Sequence, residues 1–377
     1  MDSRYYASLL IHMMNDGTVF LLPSVLPLIV LQYGFSYATA GYISAIIPLC
    51  LGVFQTPIGR ISDRFSNAFL LRIGILIVSA GALLGGLVPQ LLIPSLFLIG
   101  TGGSFYHPVG YAFTAKIIKN SSSGTVLGIQ SSSGDIGTLI AFLTAGPIAI
   151  FAGWRAVFVA WGIACAVALA ISSFVLRGER SSGETSKPTS LSMLRKREAV
   201  LIMILFALLG AVYRILSTFI PSIFFLQGAS ITTADYISAI FIGAGIVGGI
   251  VGGRLVDRFE GRTVAASLFA ISTAALFALY LLPSIFISAF LIAIFGMVIC
   301  GLYPAFYFLM RLVTSVKIVG TSYGLLLSLG MLSGIVSVTA GGYIMDISPP
   351  MIFIFAGSLT ALGVLISLIM PKMNGKK

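Results

Sequence analysis

Five ionisable side chains sit deep inside apolar stretches, and their types say what they could do: His12, Asp16, His107, Asp135 and Arg214. His12 and Asp16 are four residues apart, so one helical face carries both. Withdrawal from water favours a neutral carboxyl and a nearby cation favours a charged one, so a group held between the two can take up and release a proton. Proton coupling is the chemistry of this pair, and a buried pair that pins its helix is the structural alternative. Asp135, in "GIQSSSGDIG", and His107, in "GGSFYHPVG", extend the proton-coupling set. Asp135 also reads as one polar patch among small residues that pack helices. His107 precedes Pro108, which removes a backbone bond and can bend a helix as a gate requires, although a lone histidine is commonly a structural donor. Arg214 is a permanent cation able to grip a carboxylate or phosphonate through two hydrogen bonds. It reads equally as counter-charge to Asp16 or Asp135, because buried charges are normally paired. Asn15, Gln130 and Tyr213 complete the candidate substrate-binding set with Arg214. No nucleophile motif, nucleotide loop or metal-ligand spacing accompanies these residues, so neither an enzyme, a cofactor nor a metal is expected.

The elements that must position these side chains follow from composition. The 377 residues are 58% hydrophobic and 9% charged, with a mean hydropathy of +1.07. Soluble domains carry about 25% charged residues, so the solvent for this chain is a bilayer. Twelve apolar segments are expected to be membrane helices: 5–31, 38–62, 69–88, 92–115, 124–150, 156–176, 199–226, 233–256, 263–282, 285–310, 320–345 and 350–370. The runs are too long, and alternate too little, for strands. Twenty of the 22 lysines and arginines then fall on one side, which the positive-inside rule makes cytoplasmic, together with both termini. The net charge of +11 is therefore a topology signal rather than a nucleic-acid footprint. Seven acids are cytoplasmic, and Asp235 and Asp346 fall at outer helix ends. Asp16 lies about 18 Å along its helix from Arg4, near the middle of a core about 30 Å thick. A charge there costs about 2.5–3.5 kcal/mol, so such residues usually face a cavity and carry function. The N-terminus lacks the pattern of a cleavable signal. Cys50, Cys165 and Cys300 lie within apolar runs, which argues against a disulfide framework.

The chain repeats itself. "YISAI" occurs at 42–46 and at 236–240, and Pro27, Gly34 and Ser36 recur as Pro221, Gly228 and Ser230 at the same offset of 194. "GTVLG" at 124–128 returns as "GTSYG" at 320–324, an offset of 196. Two parallel six-helix halves, 1–176 and 199–377, are expected around a polar linker at 177–198, with substrate bound near the midplane between them. "GRISDR" at 59–64 and "GRLVDRFEGR" at 253–262 each close an even-numbered helix. Glycine there permits close helix approach, and Asp63 and Asp257 can pair with an arginine and face a helix N-terminus. These motifs resemble the signature of the major facilitator superfamily, which implies that Gly59, Asp63, Arg64, Gly253, Asp257, Arg258 and Arg262 latch the halves in one state of alternating access. "HMMND", "PSVLPL", "YGFSYATAG" and "FYHP" resemble the fosmidomycin-resistance-type exporters. That resemblance implies an antiporter that exports drugs in exchange for protons; Arg214 adds small anionic compounds to the expected substrates, and a monomer in the plasma or inner membrane is expected. The chain has Val109 where the family often has an acid, which leaves Asp16 or Asp135 to carry the proton. A proton symporter importing organic anions is the alternative within the class, and a non-transporting membrane sensor the alternative outside it.

Overall fold

The computed structural model describes residues 2–62, 65–117, 123–176, 196–282, 284–314 and 319–372. Phe20 separates α1 (Ser3–Val19) from α2 (Leu21–Tyr33). Pro23 causes the break, having no N–H for the Val19 carbonyl and a ring that crowds it. α3 (Tyr37–Ser62) and α4 (Asn67–Leu87) follow, α4 capped by the Ser66 side chain. α5 (Leu92–Gly103) and α6 (Tyr106–Ile117) part at Ser104 and Phe105. Here Pro108 crowds the Ser104 carbonyl, and Gly102 and Gly103 weaken the preceding turn. α7 (Ser123–Val175) is interrupted at Gly153, whose φ of 77° suits glycine. The remainder is α8 (Arg197–Leu226), α9 (Ile231–Arg258), α10 (Gly261–Leu281), α11 (Ile285–Val313), α12 (Val319–Ile347) and α13 (Met351–Ile369).

Among the described residues there is no strand, and ten helical stretches are long and apolar enough to cross a membrane. Two places separate that number from the twelve expected. α5 and α6 are each too short to qualify, and α7 counts once across its Gly153 break. Leu31, Phe151, Phe174 and Val336 lie exposed on the helices, as residues solvated by lipid do.

Two compact units emerge. The first comprises residues 1–34, 43–187 and 227–239, and the second 35–42, 188–226 and 240–377. The division is therefore not a single cut, because each unit holds the opening turns of a helix that continues in the other. Within the first unit α1 packs on α7, and α4 on α5 and α7. Within the second α8 packs on α12, and α10 on α11 and α13. The scheme is the same in both, as the sequence repeat requires.

The first turn of α3 lies in the second unit for a physical reason. Its orphan N–H groups at Tyr37 and Ala38 donate to Asp346 Oδ1 and Oδ2 at 2.7 and 2.9 Å. An acid in the last turn of α12 is unfavourable for α12's own dipole, and capping α3 is what that position gains. Asp346→Ala is expected to lower stability by about 0.5–1 kcal/mol, the low end for a lost cap because the carboxylate is exposed. Hydrogen exchange should show faster opening in the first turn of α3 and nowhere else in that helix.

Candidate functional site

His12 is 1% exposed on α1, and Asp16 sits one turn further, just before the Phe20 break. His12 Nδ1 lies 2.7 Å from the Gln130 carbonyl, which can only accept, so Nδ1 carries the proton. Its Nε2 then points at Asp16 Oδ2 across 3.2 Å. Two lone pairs at that distance repel, so the contact needs a proton or another cation between them. The Tyr106 ring stacks on His12 with centroids 4.0 Å apart. Tyr106 is held by Ser8 at 3.1 Å and by Gln130 Nε2, which donates at 3.2 Å. Asn15 Nδ2 donates to Asp16 Oδ1 at 2.8 Å. From the start of α6, beyond the break before Tyr106, His107 brings Nε2 to 3.9 Å from the same Oδ1. The three side chains are 2%, 21% and 31% exposed for His12, Asp16 and His107, so the cluster is sealed behind and open in front.

Gly134 of α7 lies against this pair. A Cβ there would fall 2.6 Å from His12 Nε2 and closer still to Asp16 Oδ2. Asp135, the next residue, is half-buried and near enough for its carboxylate and that of Asp16 to repel. Gln130 and Asn15, expected to face substrate, are 0% and 2% exposed, and their side chains hold Tyr106 and Asp16.

The second unit repeats the architecture without the chemistry. At the offset of 194, His12 and Asp16 become Phe206 and Gly210; at 196, His107, Pro108 and Gly134 become Tyr303, Pro304 and Gly330. Phe206 meets Tyr303 at 5.6 Å between centroids, and Gly330 packs against Phe206 and Gly210. Tyr213 meets Phe241 at 5.5 Å and Tyr303 at 6.0 Å. Beside it the half-buried Arg214 runs its stem along Gly334 and donates to Met331 Sδ at 3.5 Å. The second unit thus offers a half-buried cation and a cluster of aromatic rings where the first offers a titratable cluster.

The gate motif is only partly described. Asp63 and Arg64 lie outside the described residues. Gly59 faces Pro108 and Gly253 faces Pro304, the same contact in each unit, with an added Cβ 3.5 and 4.0 Å from the proline Cβ. Asp257 and Arg258 are exposed. The cap of the helix that follows is Glu260, which accepts from the Arg262 and Thr263 N–H groups at 3.2 and 3.1 Å, rather than Asp257. Glu260 stands directly before α10, whereas Asp257 is still inside α9. Arg262 reaches across to the Met370 carbonyl at 2.7 Å.

Sequence reading also passed over Asp235. Placed at an outer helix end by the sequence, it is 0% exposed, packed against α7 where Gly146 has no side chain. The small residue in "TAGP" was the available signal.

These features are those of a helical, multi-pass membrane protein. The chain belongs to the Major Facilitator Superfamily, whose model matches residues 8–228 and again 224–376; it is a multi-pass protein of the cell membrane. It is 24% identical over 265 residues to the fosmidomycin resistance protein of Escherichia coli K12, covering 67% of this chain and 64% of that protein. A YcaD transporter of Escherichia fergusonii is 30% identical over 95 residues, 25% of each chain. The matches thus span about a quarter to two thirds of the relatives' length. The fold resembles a bacterial homologue of the human lysosomal transporter Spinster in its inward-facing, occupied form, with a TM-score of 0.81, 17% identity and coverage of 95% and 96%. The unoccupied form gives 0.79 at 16% identity, covering 97% of each chain.

Proposed function

We propose that this chain is a proton-coupled antiporter that exports small anionic compounds by alternating access. The observation that carries the reading is the His12–Asp16–His107 cluster, present in one repeat and replaced by Phe206, Gly210 and Tyr303 in the other. In this reading the difference is a division of labour. The first half handles protons at Asp16, with His12 and His107 as partners and Asp135 as a second acid. The second half binds substrate through Arg214, Tyr213 and neighbouring rings. The 24% identity to a fosmidomycin resistance protein favours export. In this reading the chain crosses the membrane twelve times as two six-helix halves with cytoplasmic ends. Leu92–Ile117 counts as one broken crossing and α7 as two joined at Gly153. The gate motifs, each set on a glycine–proline contact, act at the cytoplasmic ends.

Purified protein in liposomes under an imposed pH gradient tests this. Anionic substrates should move against the proton flux; movement with it would make the protein a symporter. Arg214→Gln should cut transport of anions about tenfold to hundredfold, matching about 1.5–3 kcal/mol for a charge-assisted contact, and spare neutral compounds. Equal loss of both would make Arg214 a structural counter-charge.

A further inference from the structure

The chain contains two histidines, far apart in sequence, and both direct Nε2 at one carboxylate. We propose that His12, His107 and Asp16 form a binding site for a divalent transition cation, zinc by its ligand chemistry.

Two imidazoles and a carboxylate are a donor set for zinc, cobalt or nickel. Around a tetrahedral zinc with bonds of about 2.0–2.2 Å, donor atoms stand about 3.3–3.6 Å apart. His12 Nε2 and Asp16 Oδ2 are already 3.2 Å apart. His107 Nε2 stands 3.9 Å from Asp16 Oδ1, and one donor atom from each residue lies within 4.8 Å of the others. His107 must move nearer to close the triad, and that side chain is 31% exposed. His12 carries the support that metal-bound histidines have, its Nδ1–H on the Gln130 carbonyl at 2.7 Å. The buried Nε2 meets no hydrogen-bond partner among the described residues and faces lone pairs, which leaves a place for a cation. Gly134 keeps one side of the donors clear of any side chain. The exposed side leaves the fourth position to water or an anion. Spacing along the chain does not reveal the site, because metal-site patterns rest on close spacing and these donors meet only where α6 packs on α1.

Metal ligation needs a neutral imidazole and an ionised carboxylate, so binding releases protons. A cation at this site therefore excludes the proton, and zinc should inhibit proton-driven transport. That consequence rests on the proton-coupling reading; the binding itself does not.

The test uses the full-length, untagged protein in detergent with its thiols blocked, titrated with Co²⁺ and Zn²⁺ by calorimetry and visible absorption. We expect one ion per chain, proton release, and ligand-field bands of a nitrogen- and oxygen-bound Co²⁺. His107→Gln, at a position 31% exposed, should weaken binding at least about tenfold, as should Asp16→Asn. The proposal is overturned by no saturable binding, or by unchanged affinity in the His107→Gln protein that remains monodisperse. Binding without inhibition of transport would keep the metal site and remove Asp16 from proton coupling.

Discussion

Asp16→Asn is expected to reduce pH-driven substrate accumulation in liposomes to the level of empty vesicles, while exchange without a gradient continues. Asparagine keeps the size of the side chain and an oxygen for Asn15 Nδ2, which donates at 2.8 Å. What it loses is the ability to hold a proton opposite His12 Nε2 at 3.2 Å. Transport by alternation of the two halves then persists, uncoupled from the gradient. The structural alternative gives a different outcome. If the pair merely pins α1, its removal leaves buried His12 without its partner and lowers stability. Complete burial would put that loss at about 3–5 kcal/mol; at 21% exposure for Asp16 it should be smaller. A melting temperature near that of the native protein, combined with lost accumulation, is the expected pair of results. Retained accumulation would rule out Asp16 as the coupling site. The assays should contain a chelator, so that a metal at the cluster does not imitate the loss.

The positions of the helices were legible because apolar runs of that length have few other uses. Even the breaks had readable causes, a proline four residues beyond the interrupted carbonyl at Val19 and at Ser104. Pro304 holds the equivalent place in α11 without breaking it, so a proline alone does not decide the outcome. His12 and Asp16 were legible as an i, i+4 pair. His107 read as a lone histidine, because its approach to Asp16 depends on how α6 packs on α1. Asn15 and Gln130 read as polar groups facing substrate, yet tertiary packing turns them inward onto Asp16 and Tyr106. Asp235 and Asp346 both read as helix-end acids. Local pattern could not tell that one would be buried against Gly146 and the other would cap a helix more than three hundred residues away.

The glycines of α7 give the second large effect, and they separate packing from coupling. Gly134 and Gly137 are three apart on the face toward α1. A Cβ at Gly137 would run into the Met13 backbone carbonyl, which cannot turn aside without moving α1. Gly137→Ala should therefore act as overpacking does, at about 1–3 kcal/mol or more, seen as a lower melting temperature and less folded protein in detergent. At Gly134 the obstacles are the ends of two side chains, His12 and Asp16. Gly134→Ala can fold by pushing them apart, and the 3.2 Å contact is what it loses. Its melting temperature should fall less than that of Gly137→Ala, while pH-driven accumulation falls at least about tenfold, as a contact worth over 1.4 kcal/mol requires. The repeat supplies the control. At Gly330 an added Cβ meets the Phe206 ring at 3.0 Å, a buried ring that carries no proton. Gly330→Ala should therefore leave proton coupling intact. If it uncouples transport as strongly as Gly134→Ala, the effect comes from helix packing in general, and the division of labour between the halves is wrong.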